Sequence, residues 1–292
     1  MSEFEWALIQ LRTETLTDFF TLIPFMAGSI FYMSIIAICF WLRPGGKTFV
    51  QLGVLIPFSI LLNLILKNNF GILRPHEDLH LIKVNSMLSF PSGTVMTAVI
   101  FWGMIALRWQ KSYAIILSVS MVTIIFISRI YLGIHSIADV TGGLAFGLIT
   151  LIWWRSDFMQ NIYNKWLNKQ SSSYWGFLLI ILCLYFFTAE DDIYSQDFVV
   201  ATGALIGFGI SLKTISKWNF EQGMFSVNHI CSIAMSYLML ASLSIAIPTI
   251  MLNDATKIVS GILEYTLLMF MIYCIFPRLQ RAIVRKEQNI KY

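Results

Sequence analysis

The sequence predicts an all-α, polytopic integral membrane protein of about nine transmembrane helices. Three observations predict it. The 292 residues are 57% apolar and 15% aromatic. The apolar residues arrive in runs of 16 to 23, close to the roughly 20 that a helix needs to cross hydrocarbon. Only 12% of residues are charged, and most of these lie between the runs. The net charge of +4 is modest and implies no nucleic-acid partner, so the partners expected are the bilayer and a ligand met there.

Residues 1–20 mix apolar and charged side chains, which predicts an interfacial lead-in helix lying on the bilayer. The opening M-S-E-F-E-W-A has no basic n-region and no early small-residue cleavage site, so the first span is expected to act as an uncleaved anchor. Nine spans follow, over 21–42, 49–66, 91–108, 113–130, 137–154, 174–189, 197–212, 229–251 and 257–276. R-P-G-G-K (43–47) and R-W-Q-K (108–111) read as tight turns, and 156–173 as a longer loop. Cys39, Cys183, Cys231 and Cys274 fall in or beside apolar runs without paired spacing and read as small buried hydrophobes.

Three polar clusters sit at the ends of these spans: K-N-N-F-G-I-L-R-P (67–75), F-P-S-G-T (90–94) and S-R-I-Y-L-G-I-H-S-I-A-D (128–139). Ionisable residues are costly there, so each marks a candidate functional position. If the spans alternate, all three clusters fall on one side. The opposite side then holds 14 of the 20 Lys and Arg residues. The positive-inside rule accordingly places the clusters outside the cytoplasm, with the N-terminus out and the C-terminus in.

The chemistry of the clusters points to a multiply charged anion. Lys67, Arg74 and Arg129 supply a point charge and two planar forks suited to phosphate. Ser92 and Gly93 open a helix after Pro91, offering a hydroxyl and exposed backbone N–H groups to an anion. His135 and Asp139 are four residues apart, and on a helix they would share a face, the carboxylate orienting the imidazole. Beside a bound phosphoryl group, such an imidazole is a nucleophile or a general base.

Together, K-x6-R-P, P-S-G and S-R-x5-H-x3-D resemble the type 2 phosphatidic acid phosphatase family, which is related to bacterial acid phosphatases and vanadium haloperoxidases. The match is close over residues 60–150 and leaves the final four spans outside the family core. The resemblance implies a helical-bundle core, read here over 21–155, and a site open toward the outer leaflet; the last four spans make a C-terminal extension over 174–292. It implies that Lys67, Arg74, Ser92, Gly93 and Arg129 bind phosphate, that His135 forms a phosphohistidine, and that Asp139 orients it. It implies neither metal nor cofactor.

The sequence departs from the family at Thr94, where the pattern P-S-G-H has its general acid. Losing such an acid typically costs about 10²- to 10⁴-fold in rate. Three readings follow. The first is a phosphatase for a polyprenyl or other lipid diphosphate, whose phosphomonoester leaving group has a second pKa of about 6 and departs unaided. The second is an acid relocated to His76 or His80, in the loop after Arg74-Pro75. The third is a lipid phosphotransferase, or a lipid-phosphate binder or carrier on the same fold; the presence of both His135 and Asp139 argues against a pure binder.

The C-terminal third carries no comparable motif. Gly203 and Gly207 form a small-xxx-small pair, for packing within the chain or for a homo-oligomer face. Glu264 is an intramembrane carboxylate near Lys257 and Ser260, open to a structural pairing or to a transport or substrate role. Asp191 and Asp192 read as a solvated outer loop, and His229 as interfacial.

Overall fold

The computed structural model describes residues 3–42, 46–84, 86–168, 171–188, 195–215, 254–275 and 278. The segment expected as the span 229–251, with His229 and Cys231, lies outside these residues, as do Asp191 and Asp192. The helices are α1 (Glu3–Gln10), α2 (Glu14–Met26), α3 (Ser29–Leu42), α4 (Lys47–Phe70), α5 (Gly93–Trp109), α6 (Ser112–Tyr131), α7 (Ile137–Arg155), α8 (Asp157–Leu167), α9 (Ser171–Thr188), α10 (Gln196–Ile215) and α11 (Asp254–Phe270). A π turn over Met271–Ile275 extends α11.

Among the described residues, Lys47–Phe70, Ser112–Tyr131, Ile137–Arg155 and Ile258–Ile275 are long and apolar enough to cross a membrane, and two bent helix pairs raise the count to six. The span read over 21–42 is one of those pairs, α2 and α3, with a break at Ala27-Gly28. Pro24 lacks an N–H for the helical ladder, and Ala27 closes α2 on the Ile23 carbonyl (3.0 Å). The apolar runs at 93–109 and 196–212 form shorter helices. Tyr113, Ile116 and Val119 are exposed along one side of α6, as a lipid-facing surface requires.

The chain forms two compact units. The first comprises Met1–Met33, Ser59–Gln160 and Ile181–Ile193 and contains all three polar clusters. Within it α5 packs on α7, and α7 makes room with glycine. A Cβ on Gly143 would come within 2.5 Å of the Ser92 carbonyl, and one on Gly147 within 2.9 Å of the Val99 Cβ. This contact sets the start of α5 against the start of α7, where two of the clusters lie.

The lead-in is fastened to this unit. Glu5 is buried and accepts a hydrogen bond from the Ile137 N–H at the start of α7 (2.5 Å). A carboxylate there satisfies an orphan helix donor and complements the positive end of the helix. The Arg12 guanidinium donates to the Tyr131 carbonyl (2.8 Å) and the Leu79 carbonyl (2.8 Å). Thr17 pairs with the Tyr131 hydroxyl (3.1 Å), and Phe20 packs on the same ring.

The second unit comprises Ser34–Phe58, Asn161–Ile180 and Tyr194–Tyr292. Here Gly203 and Gly207 pack within the chain: a Cβ on either would overlap the α11 backbone, at the Ile262 and Thr266 carbonyls respectively. Thr266 seals the contact with a hydrogen bond to the Gly203 carbonyl (3.1 Å). Tyr174 donates to the Leu205 carbonyl (2.6 Å), and Tyr273 to the Phe49 carbonyl (3.3 Å), so these buried rings carry satisfied hydroxyls. Glu264 is half-buried on α11, one turn after the buried Ser260; the Lys257 side chain lies outside the described residues. Cys39, Cys183 and Cys274 are free thiols; Cys39 is half-buried, Cys183 exposed and Cys274 buried.

Candidate active site

The first cluster begins at the end of α4, where Lys67 is buried and donates to the Leu88 carbonyl (3.1 Å). Beyond α4 the chain turns through Gly71 and runs antiparallel to residues 86–89. Arg74 N–H bonds the Met87 carbonyl (3.0 Å), and Ser89 N–H bonds the Ile72 carbonyl (2.7 Å). Arg74 is thereby held with Nε on the Ser86 carbonyl (2.6 Å) and Nη1 on the Ile134 carbonyl (2.8 Å).

The second cluster starts α5. Ser92 is fully buried at the N-cap, and its N–H bonds the Asp139 carbonyl (2.9 Å). The close approach that Gly93 permits is to Asn63, because a Cβ there would lie 2.5 Å from Asn63 Oδ1. Asn63 in turn donates to the Pro91 carbonyl (3.0 Å). Thr94, the next residue, is half-buried in the first turn.

The third cluster joins α6 to α7. Gly133 has φ +73°, and a Cβ on it would overlap the Leu79 carbonyl, so this tight connection requires glycine. His135 lies in the connection, not on a helix, so its proximity to Asp139 does not come from a shared helical face. It comes from a capping box. The Ser136 hydroxyl accepts from Asp139 N–H (3.2 Å), and Asp139 Oδ2 accepts from Ser136 N–H (2.6 Å).

Arg74 Nη1 lies 3.1 Å from His135 Nε2. Arginine can only donate, so Nε2 accepts and the ring proton sits on Nδ1. Burial, together with the cations Arg74 and Lys67, holds the His135 imidazole down to about 3, and Asp139 offsets this only in part. The ring is therefore neutral, with its Nε2 lone pair facing Arg74. As pH falls from the ordinary histidine value of 6.5 to about 3, the unfolded chain takes up a proton that the folded one does not, so this residue makes folding less favourable across that window. The His135 ring nitrogens are expected to keep the shifts of a neutral Nδ1–H imidazole from about pH 8 to about pH 5, as read by long-range ¹H–¹⁵N correlation.

Arg129 completes the set from the last turn of α6. It is 4% exposed, and among the described residues its Nε and Nη2 have no hydrogen-bond partner, nor does the buried Ser92 hydroxyl. Arg74 lies within electrostatic reach of it. The Arg129 nitrogens and the Ser92 hydroxyl are thus buried polar groups short of acceptor oxygens, in the unit where Arg74 engages the imidazole nitrogen. The two loop histidines are turned elsewhere: His76 contacts Asp78 at the exposed surface (3.0 Å), and His80 Nε2 meets the Pro75 carbonyl (3.0 Å). Among the described residues, no three of His, Cys, Asp and Glu gather as metal ligands.

Residues 48–163 match the PAP2 superfamily. The chain is 32% identical over 158 residues to phosphatidylglycerophosphatase B of Bacillus subtilis, covering 49% of this chain and 75% of that one. The chain belongs to the PAP2 superfamily. It is a multi-pass membrane phosphatase of that family. Lipid phosphate phosphatase delta of Arabidopsis thaliana is 25% identical over 233 residues, covering 70% of this chain and 54% of that protein. The crystal structure of a transmembrane PAP2-type phosphatidylglycerolphosphate phosphatase from Bacillus subtilis aligns with a TM-score of 0.47 at 25% identity, covering 55% of this chain and 83% of that one. The PAP2 match runs from the start of α4 into α8 and so contains every residue named in the three clusters, while α9 to α11 lie beyond it.

Sequence reasoning missed Ser89, Asn63, Glu5 and Arg12. Asn63 had a signal, being a polar residue one helical turn before Lys67 inside an apolar run. Ser89, Glu5 and Arg12 had none, because their partners are distant in the chain.

Proposed function

We propose that this PAP2 phosphatase hydrolyses a lipid diphosphate, a polyprenyl diphosphate by preference, through a phosphohistidine on His135. The observation that carries this reading is the buried Arg129 with two guanidinium nitrogens that have no partner among the described residues, within electrostatic reach of the Arg74 that holds His135 Nε2. Arg129, Arg74, Lys67, the Ser92 hydroxyl and the first N–H groups of α5 hold the phosphoryl oxygens, and no metal is required. His135 Nε2 forms a bond to phosphorus while the P–O bond to the leaving group breaks, its electron pair departing on that oxygen. The imidazole then carries a positive charge and keeps its Nδ1 proton. Water attacks phosphorus next, the N–P bond breaks, and phosphate leaves. The placing of cations along the chain supports a site on the extracytoplasmic side, with the N-terminus outside.

Thr94 selects the substrate. A lipid phosphomonoester must expel an alkoxide and needs an acid, whereas a diphosphate expels a phosphomonoester that needs none. The named relatives favour a second reading, in which the substrate is a phosphomonoester lipid such as phosphatidylglycerophosphate or phosphatidic acid. Phosphate release by the purified protein in detergent and chelator, with undecaprenyl diphosphate, phosphatidylglycerophosphate and phosphatidic acid side by side, separates them. The diphosphate is expected to turn over about 10²-fold faster or more. A faster phosphomonoester would establish the second reading. A phosphohistidine that discharges to an acceptor lipid and not to water would mark a transferase.

A further inference from the structure

Asp139 is well placed to polarise His135, yet it does not bond it. Asp139 Oδ2 lies 3.6 Å from His135 Nδ1, beyond hydrogen-bond length. The fully buried Ser89 hydroxyl reaches both, 3.1 Å from Nδ1 and hydrogen-bonded to Oδ2. Only one arrangement of protons satisfies the group. Arg74 donates to Nε2, so the imidazole proton is on Nδ1. Asp139 Oδ2 already accepts from the Ser136 N–H and, as a carboxylate, has no proton to give, so the single Ser89 proton goes to it. The Ser89 oxygen is left to accept from Nδ1–H.

We propose that Ser89 is a positioning residue for phosphoryl transfer, coupling the Asp139 carboxylate to the His135 imidazole through its hydroxyl. The proposal rests on the phosphohistidine reading above. As Nε2 bonds to phosphorus, the ring gains positive charge and Nδ1–H becomes a stronger donor. The Ser89 oxygen, polarised by the carboxylate behind it, meets that demand with no atom moving far. The same antiparallel pairing that carries Ser89 carries Arg74, through Ser89 N–H to Ile72 and Arg74 N–H to Met87. One short ladder thus fixes the partners of both imidazole nitrogens. The charged groups acting on the ring are Asp139, Arg74 and Lys67.

The test compares Ser89→Thr with Ser89→Val. The two side chains have nearly the same shape and differ in the hydroxyl. Ser89→Thr is expected to keep kcat within about threefold of the parent, while Ser89→Val lowers kcat about 10- to 100-fold at a KM unchanged within about twofold. In an Asp139→Asn background, Ser89→Val is expected to add less than about threefold, because the serine acts through the carboxylate. Equal kcat for Thr and Val, with both active, would overturn the proposal. If both β-branched side chains stop the enzyme, Ser89→Ala decides by NMR: loss or a large upfield shift of the His135 Nδ1 proton supports the coupling, and an unchanged signal refutes it. His135→Ala keeps the two readings apart. An active His135→Ala removes the phosphohistidine reading and Ser89 with it, whereas an inactive one beside equal Thr and Val removes the coupling alone.

Discussion

His135→Ala is expected to lower phosphate release by at least about 10⁴-fold and to abolish the acid-labile ³²P label on the protein. The size follows from what the residue supplies. His135 is the one imidazole within the three clusters, buried and neutral, and its Nε2 faces Arg74 at 3.1 Å. His76 and His80 are engaged with Asp78 and the Pro75 carbonyl, so neither is poised to replace it. The variant still contains Arg129, Arg74, Lys67 and Ser92. It is therefore expected to bind inorganic phosphate within about threefold of the parent, because binding and attack are done by different groups. Phosphate release that stays within tenfold of the parent would show that the nucleophile is not His135.

Arg129→Met is expected to lower kcat/KM about 10²- to 10³-fold while leaving the ligand-free protein as stable as the parent or more so. These opposite effects share one cause. A buried guanidinium with two unpaired nitrogens has lost water without gaining partners, which is unfavourable until an anion arrives. A methionine of similar length fills the space without that penalty but offers a phosphoryl group nothing. Thermal unfolding in phosphate-free detergent buffer reads the first effect. The second appears as a rise in Tm on adding vanadate that is large in the parent and small in the variant, since a ligand stabilises in proportion to its occupancy of the folded state. A variant that unfolds well below the parent, with vanadate stabilisation intact, would assign Arg129 to the scaffold and not to the ligand.

Much of this protein is legible in its sequence. In a chain with few charges, every ionisable residue at the end of an apolar run stands out, because placing it there is costly. That cost is why Lys67, Arg74, Arg129, His135 and Asp139 stand out by residue type and position alone, and why the helical membrane fold is legible with them. Helix ends are less legible. The first span breaks at Ala27-Gly28, where Pro24 and a C-cap act locally, although hydropathy runs straight through.

What the tertiary structure alone decided is who touches whom. Hydropathy and periodicity report how each residue relates to its own helix, whereas a hydrogen bond across 46 or 132 positions leaves no trace in either. Sequence spacing therefore suggests that Asp139 meets His135 along a helix. In the folded chain His135 is in a turn, a capping box aims the carboxylate, and Ser89 contacts both. That the absent Cβ of Gly93 leaves space for Asn63 is likewise visible only in the folded chain. Glu5 and Arg12 read as an amphipathic surface, and they tie the lead-in to the start of α7 and the end of α6. The sequence by itself determined which groups are candidates for the chemistry, because charge in an apolar chain is too costly to place idly. Small polar residues cost little to place anywhere, so only packing reveals which of them touch those groups.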